Sequence, residues 1–218
     1  MNREDPSNFF VISAPSGAGK TSLVKALIDQ KANCRAAISH TTRPKRSEEI
    51  DGKDYYFVTE NEFSEIAAKG GFLESAKVFD HSYGTSLQEA QKIMRSGMTL
   101  ILEIDWQGAL QVKEKYKDAK SIFILPPSLE ALRSRLKIRA QDSDEIVEKR
   151  MKKAISESSK WTNFDYLVEN DVFQTALEAI KEITSGKGKK YLRDAQVNNL
   201  KALINLSLIH ISEPTRPL

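Results

Sequence analysis

Between the apolar run Phe9-Phe10-Val11-Ile12 and a helical pattern beginning at Lys20 lies the octet Ala14-Pro15-Ser16-Gly17-Ala18-Gly19-Lys20-Thr21. A short, unbroken apolar run of this kind is compatible with a parallel strand buried on both faces. After the octet, Leu23, Val24, Leu27 and Ile28 fall on one face of a helix. Strand, tight loop and helix N-terminus in that order make an anion site. Gly17 and Gly19 let the backbone curve so that successive N–H groups point inward, and the helix dipole favours negative charge. Lys20 then reaches the β- and γ-phosphates of a nucleotide, and the Thr21 hydroxyl ligates Mg²⁺. Ala14 stands where the usual pattern has glycine, a change that costs little at negative φ.

Beyond this segment, Met98 to Asp105 and Ser121 to Leu125 read as two more buried strands, separated by a helical stretch around Ala109 to Tyr116. Alternation of strands with helices predicts an α/β fold with a parallel sheet flanked by helices. Two segments break the rhythm. From Ser39 to about Leu87 the chain mixes short strands (Tyr55 to Val58) with a short helix (Asn61 to Lys69), as an insertion would. From about Ser128 to Lys160 it is helical and densely charged, interrupted by Gln141-Asp142-Ser143-Asp144, where Ser143 or Asp144 can cap a following helix. That pattern predicts a mobile helical hairpin. A further helical pattern runs from Ala195 to Leu206, and Ser207 to Leu218 continues neither it nor any motif, so the last twelve residues are expected to be a non-native tail.

Composition narrows the function classes. With 218 residues, 40% hydrophobic and 29% charged, the chain can bury the core of one α/β domain. No run reaches the ~18 apolar residues of a membrane helix, and the polar start offers no signal segment, so a cytoplasmic address is expected. Cys34 is the only cysteine, and His40, His81 and His210 lack ligand spacing, so neither disulfide nor structural metal is expected. A formal charge of +3 is too small for wrapping nucleic acid. The cations instead cluster: Arg43, Lys45 and Arg46; Arg133, Arg135, Lys137 and Arg139; and Lys187, Lys189, Lys190 and Arg193, which read as a solvated face.

A phosphate loop leaves the reaction open, since GTPases, ATPases and small-molecule kinases share it. The ordered series Ser13 to Thr21, Ser39-His-Thr-Thr-Arg-Pro-Lys-Arg46, Asp51-Gly-Lys-Asp-Tyr-Tyr-Phe-Val58, Phe72-Leu-Glu74, Tyr83-Gly-Thr85 and Ile104-Asp-Trp-Gln-Gly108 closely resembles the guanylate kinase family, over roughly Asn8 to Leu206. The resemblance implies a P-loop kinase core (1–38, 88–127 and 161–206), a GMP-binding insertion of mixed α+β structure (39–87) and a helical lid (128–160). It also implies transfer of a phosphoryl group from ATP, with Mg²⁺, to GMP or dGMP.

Carried over residue by residue, Ser16, Gly17, Ala18, Gly19, Lys20, Thr21, Ser22 and Asn170 hold ATP, with Asn170 near the adenine. Arg43, Arg46, Tyr55 and Tyr83 grip the monophosphate, since guanidinium forks match phosphate geometry; Tyr55 and Tyr83 also have a packing reading, while Tyr56 and Phe57 read as core. Glu74 accepts from the two donors on the guanine edge, Ser39 and Thr85 serve its acceptors, and Asp105 lies near the amino group. The resemblance makes Lys20, Arg43, Arg135, Arg139 and Arg150 the catalytic cations, the last three on the lid. Lys137-Ile138-Arg139-Ala140 lacks the glycines common in that loop, and Glu103 stands where an aspartate is usual.

Three other readings remain. A scaffold module that binds phosphopeptides on this fold usually lacks an intact phosphate loop. A kinase of a phosphorylated ribose has no need of Glu74 together with Ser39 and Thr85. A GTPase switch needs an Asn-Lys-x-Asp sequence, which is absent.

Overall fold

The computed structural model describes residues 8–78, 80–140 and 144–200, with the backbone alone for 138–140 and 144. Strands β1 (Phe9–Ser13), β2 (Cys34–Ala36), β7 (Thr99–Glu103), β8 (Lys120–Leu125) and β9 (Tyr166–Glu169) form a sheet in the order β2-β7-β1-β8-β9. β2 pairs with β7, and β8 with β9, in parallel. The apolar runs are buried along almost their whole length, as strands of a parallel sheet covered on both faces must be. A second sheet, in the order β4-β3-β6-β5, is built from β3 (Ser39–Thr41), β4 (Tyr56–Phe57), β5 (Phe72–Val78) and β6 (His81–Ser86). The α/β class and the mixed segment expected between 39 and 87 are both present. Among the described residues no helix is long and apolar enough to cross a membrane.

The chain divides into two compact units, one of residues 8–11 and 28–120, the other of 12–27 and 121–200. In the first, the four-stranded sheet has two unlike faces. Its aromatic face stacks His40 on Tyr56 and against Phe72, with ring centroids 4.8 and 5.4 Å apart. Helix α2 (Glu60–Ala68) presses Phe63 onto Phe72 from the same side, at 4.5 Å. A capping box starts α2: Thr59 Oγ1 accepts from Glu62 N–H, and the Glu62 carboxylate accepts from Thr59 N–H. Burial lowers the pKa of His40, so its imidazole is neutral near pH 7. Helix α3 (Leu87–Arg95) is capped by Ser86 and places Glu89 to accept from Ile38 N–H at 3.2 Å. Helix α4 (Trp106–Lys115) is capped by Asp105 and lies along β5.

The second unit contains the loop of residues 14–19 and helix α1 (Lys20–Gln30), whose Leu23, Val24 and Leu27 are buried, with Ile28 half-buried on the same stripe. Helices α5 (Leu129–Ala140) and α6 (Asp144–Ser158) pack through Leu132, Leu136, Val147, Met151 and Ala154. Arg133 and Glu148 pair across them. This is the hairpin the charged segment predicts. Helix α7 (Phe173–Thr184) buries Ala176, Leu177, Ala179, Ile180 and Ile183. The helical pattern expected over Ala195 to Leu206 is shorter where it is described: α8 spans Arg193–Gln196 and gives way to turns through Leu200. Asn198 and Asn199 are poor helix formers whose side chains compete for backbone partners. Residues 201–206, the tail 207–218 and the cap position Ser143 lie outside the described residues, and the Asp144 side chain does too. Lys187, Lys189 and Lys190 are exposed, a solvated face as their composition suggests.

Asp165, just before β9, fastens the start of β8. Its Oδ2 accepts from Ser121 N–H at 2.8 Å and from Ser121 Oγ–H at 2.9 Å. Ser121 is fully buried, so removing Asp165 leaves a buried N–H without its carboxylate partner. Asp165→Ala should lower the unfolding free energy by ~1–3 kcal/mol, read as a lower urea midpoint at unchanged slope; an unchanged midpoint would show that this tie carries no stability.

Candidate functional site

The predicted phosphate loop is a turn held on three sides by its own unit. Ala18 N–H donates to the Pro15 carbonyl at 3.1 Å, and Gly17, third in that turn, has φ +88°, a value that suits glycine at the third position of a type II turn. Gly19 has φ +91°, and its carbonyl accepts from Leu23 N–H as the helix begins. A Cβ on Gly17 would stand 3.0–3.1 Å from Leu136 and Leu132 of α5, and one on Gly19 only 2.4 Å from Asn170 Nδ2. The Asn170 amide is buried and donates to the Ala18 carbonyl at 2.7 Å. Ser16 N–H donates to Glu157 Oε2 of α6 at 3.1 Å. Lys20 is half-buried, while Thr21 and Ser22 are exposed on the first turn of α1.

Of the arginines expected on a lid, Arg135 donates through Nη2 to the Asn170 carbonyl at 2.9 Å. Its Nη1 is buried with no hydrogen-bond partner among the described residues, a buried donor that an anion would satisfy. Arg150 is half-buried on α6, and the Arg139 side chain lies outside the described residues.

In the other unit, the polar face of the four-stranded sheet gathers the remaining predicted residues. Register sets Ser39 opposite Thr85, Thr41 opposite Tyr83 and Glu74 opposite Thr85, so directly paired side chains emerge on one face. Thr85, on the central strand β6, donates to Glu74 Oε1 from its hydroxyl at 2.6 Å and its N–H at 3.0 Å; Ser39 Oγ lies 3.3 Å from Thr85 Oγ1. Glu74 is only 3% exposed, so these donors offset the cost of taking a carboxylate out of water. Asp105 accepts from Gly108 N–H at 2.9 Å and from the Gln107 amide at 3.0 Å.

Farther along the same face, Tyr55 packs edge-on to Tyr83 at 6.1 Å, and the Arg43 guanidinium lies over Tyr55 at 5.4 Å and Phe57 at 5.7 Å. Tyr56 stacks on His40 on the aromatic face but is only half-buried, and Phe57, also half-buried, lies on this polar side, so neither is the core residue expected. Burial, then the charge of Glu103, pushes the Tyr55 hydroxyl up to about 12, so it remains a donor at neutral pH. Arg43 is held bidentately by Glu49, at 2.9 and 2.7 Å. This raises the arginine's pKa and lowers the carboxylate's, and the pair keeps both charges until acid protonates Glu49. Arg46 is exposed, its N–H also on Glu49 at 2.8 Å.

Glu49, Glu157 and Gln111 escaped the sequence reading, and Gly108 entered it only as the end of a motif. Glu49 and Glu157 sit in charged stretches that look solvated, and nothing local marks them as partners of Arg43 and Ser16. Gly108 and Gln111 face β5 from α4: a Cβ on Gly108 would lie 2.4 Å from Glu74 Oε2, and the Gln111 amide bonds to Ser75. Their one legible signal is the three-residue helical spacing.

Comparison with known proteins agrees with this arrangement. The family model described as guanylate kinase matches residues 7–187. A guanylate kinase of Pseudomonas fluorescens (strain Pf0-1) is 55% identical over 174 residues, covering 80% of this chain and 84% of the relative. One of Nitrosococcus oceani is 49% identical over 197 residues, covering 90% and 96%. The crystal structure of guanylate kinase from Anaplasma phagocytophilum superposes with a TM-score of 0.70 at 30% identity, covering 88% of this chain and 94% of that one. With a phosphate loop in one unit, a buried carboxylate flanked by hydroxyls in the other, and relatives matched over most of their length, the chain belongs to the guanylate kinase family.

Proposed function

We propose that this chain transfers the γ-phosphoryl group of ATP to GMP, or to dGMP, giving ADP and GDP or dGDP, as a cytoplasmic enzyme of purine nucleotide metabolism. The observation that carries this reading is the buried Glu74 carboxylate with Thr85 and Ser39 at one level of the sheet. Guanine offers adjacent N1–H and amino donors that one carboxylate accepts together, and its O6 and N7 accept from hydroxyls. Adenine presents an acceptor at N1, which would leave buried Glu74 facing a lone pair. In this reading 39–87 holds GMP, 128–160 closes over ATP, and 1–38, 88–127 and 161–206 form the core.

A phosphate oxygen of GMP attacks the γ-phosphorus in line, while the bond to the β–γ bridging oxygen breaks and its electron pair leaves with ADP. No side chain is covalently modified. Catalysis comes from aligning two anions and neutralising them as charge spreads. Lys20 and the loop of residues 16–22 hold the triphosphate, and Arg135, Arg139 and Arg150 supply positive charge from the lid. Arg43, Arg46, Tyr55 and Tyr83 grip the acceptor phosphate, which must share Arg43 with Glu49 or displace it. Asp105 lies toward the guanine amino group. Asn170 serves the ATP half of the site, its amide fixing the loop beneath the phosphates. The Thr21 hydroxyl, exposed in the first turn of α1, is a hard oxygen donor of the kind Mg²⁺ accepts beside water and substrate phosphates, and so fits the ion. Bound there, Mg²⁺ would neutralise charge on the β- and γ-phosphates.

Lys20→Ala should cut turnover by about 10²-fold or more, the scale for losing one charge-stabilising donor, with the circular-dichroism spectrum and melting temperature retained; normal activity in a coupled assay would remove the loop from the mechanism. Acceptor profiling should favour GMP and dGMP over AMP by about 10⁴-fold, as expected when the wrong base leaves a buried polar group unpaired. Equal use of AMP, or preference for a ribose phosphate, would defeat the reading.

A further inference from the structure

The base-reading carboxylate sits on an edge strand immediately after a break in the ladder. β5 is the outer strand of the order β4-β3-β6-β5, and its register against β6 shifts between Phe72 and Glu74. Leu73 is the extra residue of that bulge, without a partner residue on β6. An extra residue in a bulge loosens the local ladder, and an edge strand has no second neighbour to restore it. Glu74 and Ser75 are paired with Thr85 and Gly84, but the chain enters that pairing from the unpaired Leu73, on one side of the sheet only.

Helix α4 supplies what is missing. Lys115 Nζ donates to the Leu73 carbonyl at 2.8 Å. Gln111 closes a two-bond ring with Ser75, accepting from its N–H at 3.2 Å and donating to its carbonyl at 2.7 Å, as a neighbouring strand would. Between these anchors, Gly108 presents no side chain to Glu74, and a Cβ there would lie 2.4 Å from Oε2 and 3.1 Å from Cδ. Positions 108, 111 and 115 follow the helical repeat, so one face of α4 carries all three. The residues on either side of Glu74 are pinned, and the carboxylate itself is given room.

From this geometry we propose that Gly108, Gln111 and Lys115 are positioning residues for base specificity: they set where the Glu74 carboxylate stands and thereby how strongly a purine amino group is preferred. The inference rests on the role given to Glu74 in the proposed reaction. It is tested on the full-length protein with GMP and IMP, acceptors that differ only in the 2-amino group. Gln111→Met keeps length and helix propensity but removes both bonds to Ser75, and Gly108→Ala pushes on the carboxylate directly. Each should lower kcat/KM for GMP by about tenfold or more, the scale of an unsatisfied buried group or an overpacked contact. Because the amino contact suffers most, the GMP-to-IMP preference should narrow by about fivefold, with KM for ATP within about twofold of the unaltered protein. Gln111→Met carries the test should Gly108→Ala not fold. An equal loss with GMP and IMP, or an unchanged preference, would overturn the proposal and leave α4 a purely structural support. Failure of the unaltered protein to prefer GMP over IMP would instead overturn the role of Glu74, and the positioning proposal with it.

Discussion

A carboxylate taken out of water must be surrounded by donors or become neutral, and Glu74 imposes that condition on its whole unit. The donors it receives from Thr85 require β6 beside β5, with Thr85 directly opposite; the hydroxyl of Ser39 requires β3 on the other side of β6. That fixes the order of three strands and which face is polar. The opposite face is then free to be aromatic, and His40, Tyr56, Phe63 and Phe72 fill it. Helix α4 must in turn approach closely enough to serve β5, which it does by placing glycine where it meets the carboxylate.

The phosphate loop answers the opposite problem. It must present donors to a polyanion without collapsing onto itself, and its curvature depends on supports outside the loop. Asn170 donates to the Ala18 carbonyl, Glu157 takes Ser16 N–H, and Leu132 and Leu136 occupy the space toward which a Cβ on Gly17 would project. A Cβ at Gly19 would collide with the Asn170 amide and one at Gly17 would crowd the α5 leucines, so packing adds to the demand that their positive φ makes for glycine. Arg135, tied by Nη2 to the Asn170 carbonyl and with Nη1 buried and lacking a hydrogen-bond partner among the described residues, couples the helical hairpin to the same support.

Much of this was legible from residues close together in the chain. Strand, turn and helix around Lys20 follow from an apolar run, two glycines and a 3.6-residue repeat, all short-range steric and hydrogen-bonding preferences. The hairpin of α5 and α6 showed itself by charge density and periodicity. The residues expected to read a base, Ser39, Glu74 and Thr85, were legible only as members of an ordered motif series; nothing in their spacing says that they meet. The helical pattern read from Ala195 onward shows the limit of periodicity, because among the described residues α8 stops at Gln196 and turns follow through Leu200.

By itself, then, the sequence determined the class of fold, the strand, turn and helix around Lys20 and the family, since each depends on local pattern or on motif order. Tertiary structure alone decided which groups hold those motifs in place: Glu49 on Arg43, Gln111 on Ser75 across 36 residues, Glu157 on Ser16 across 141 and Asn170 on Ala18 across 152. The physical reason is that a side chain's hydrogen-bond partner at such separation is chosen by strand register and helix packing, and no local preference encodes either.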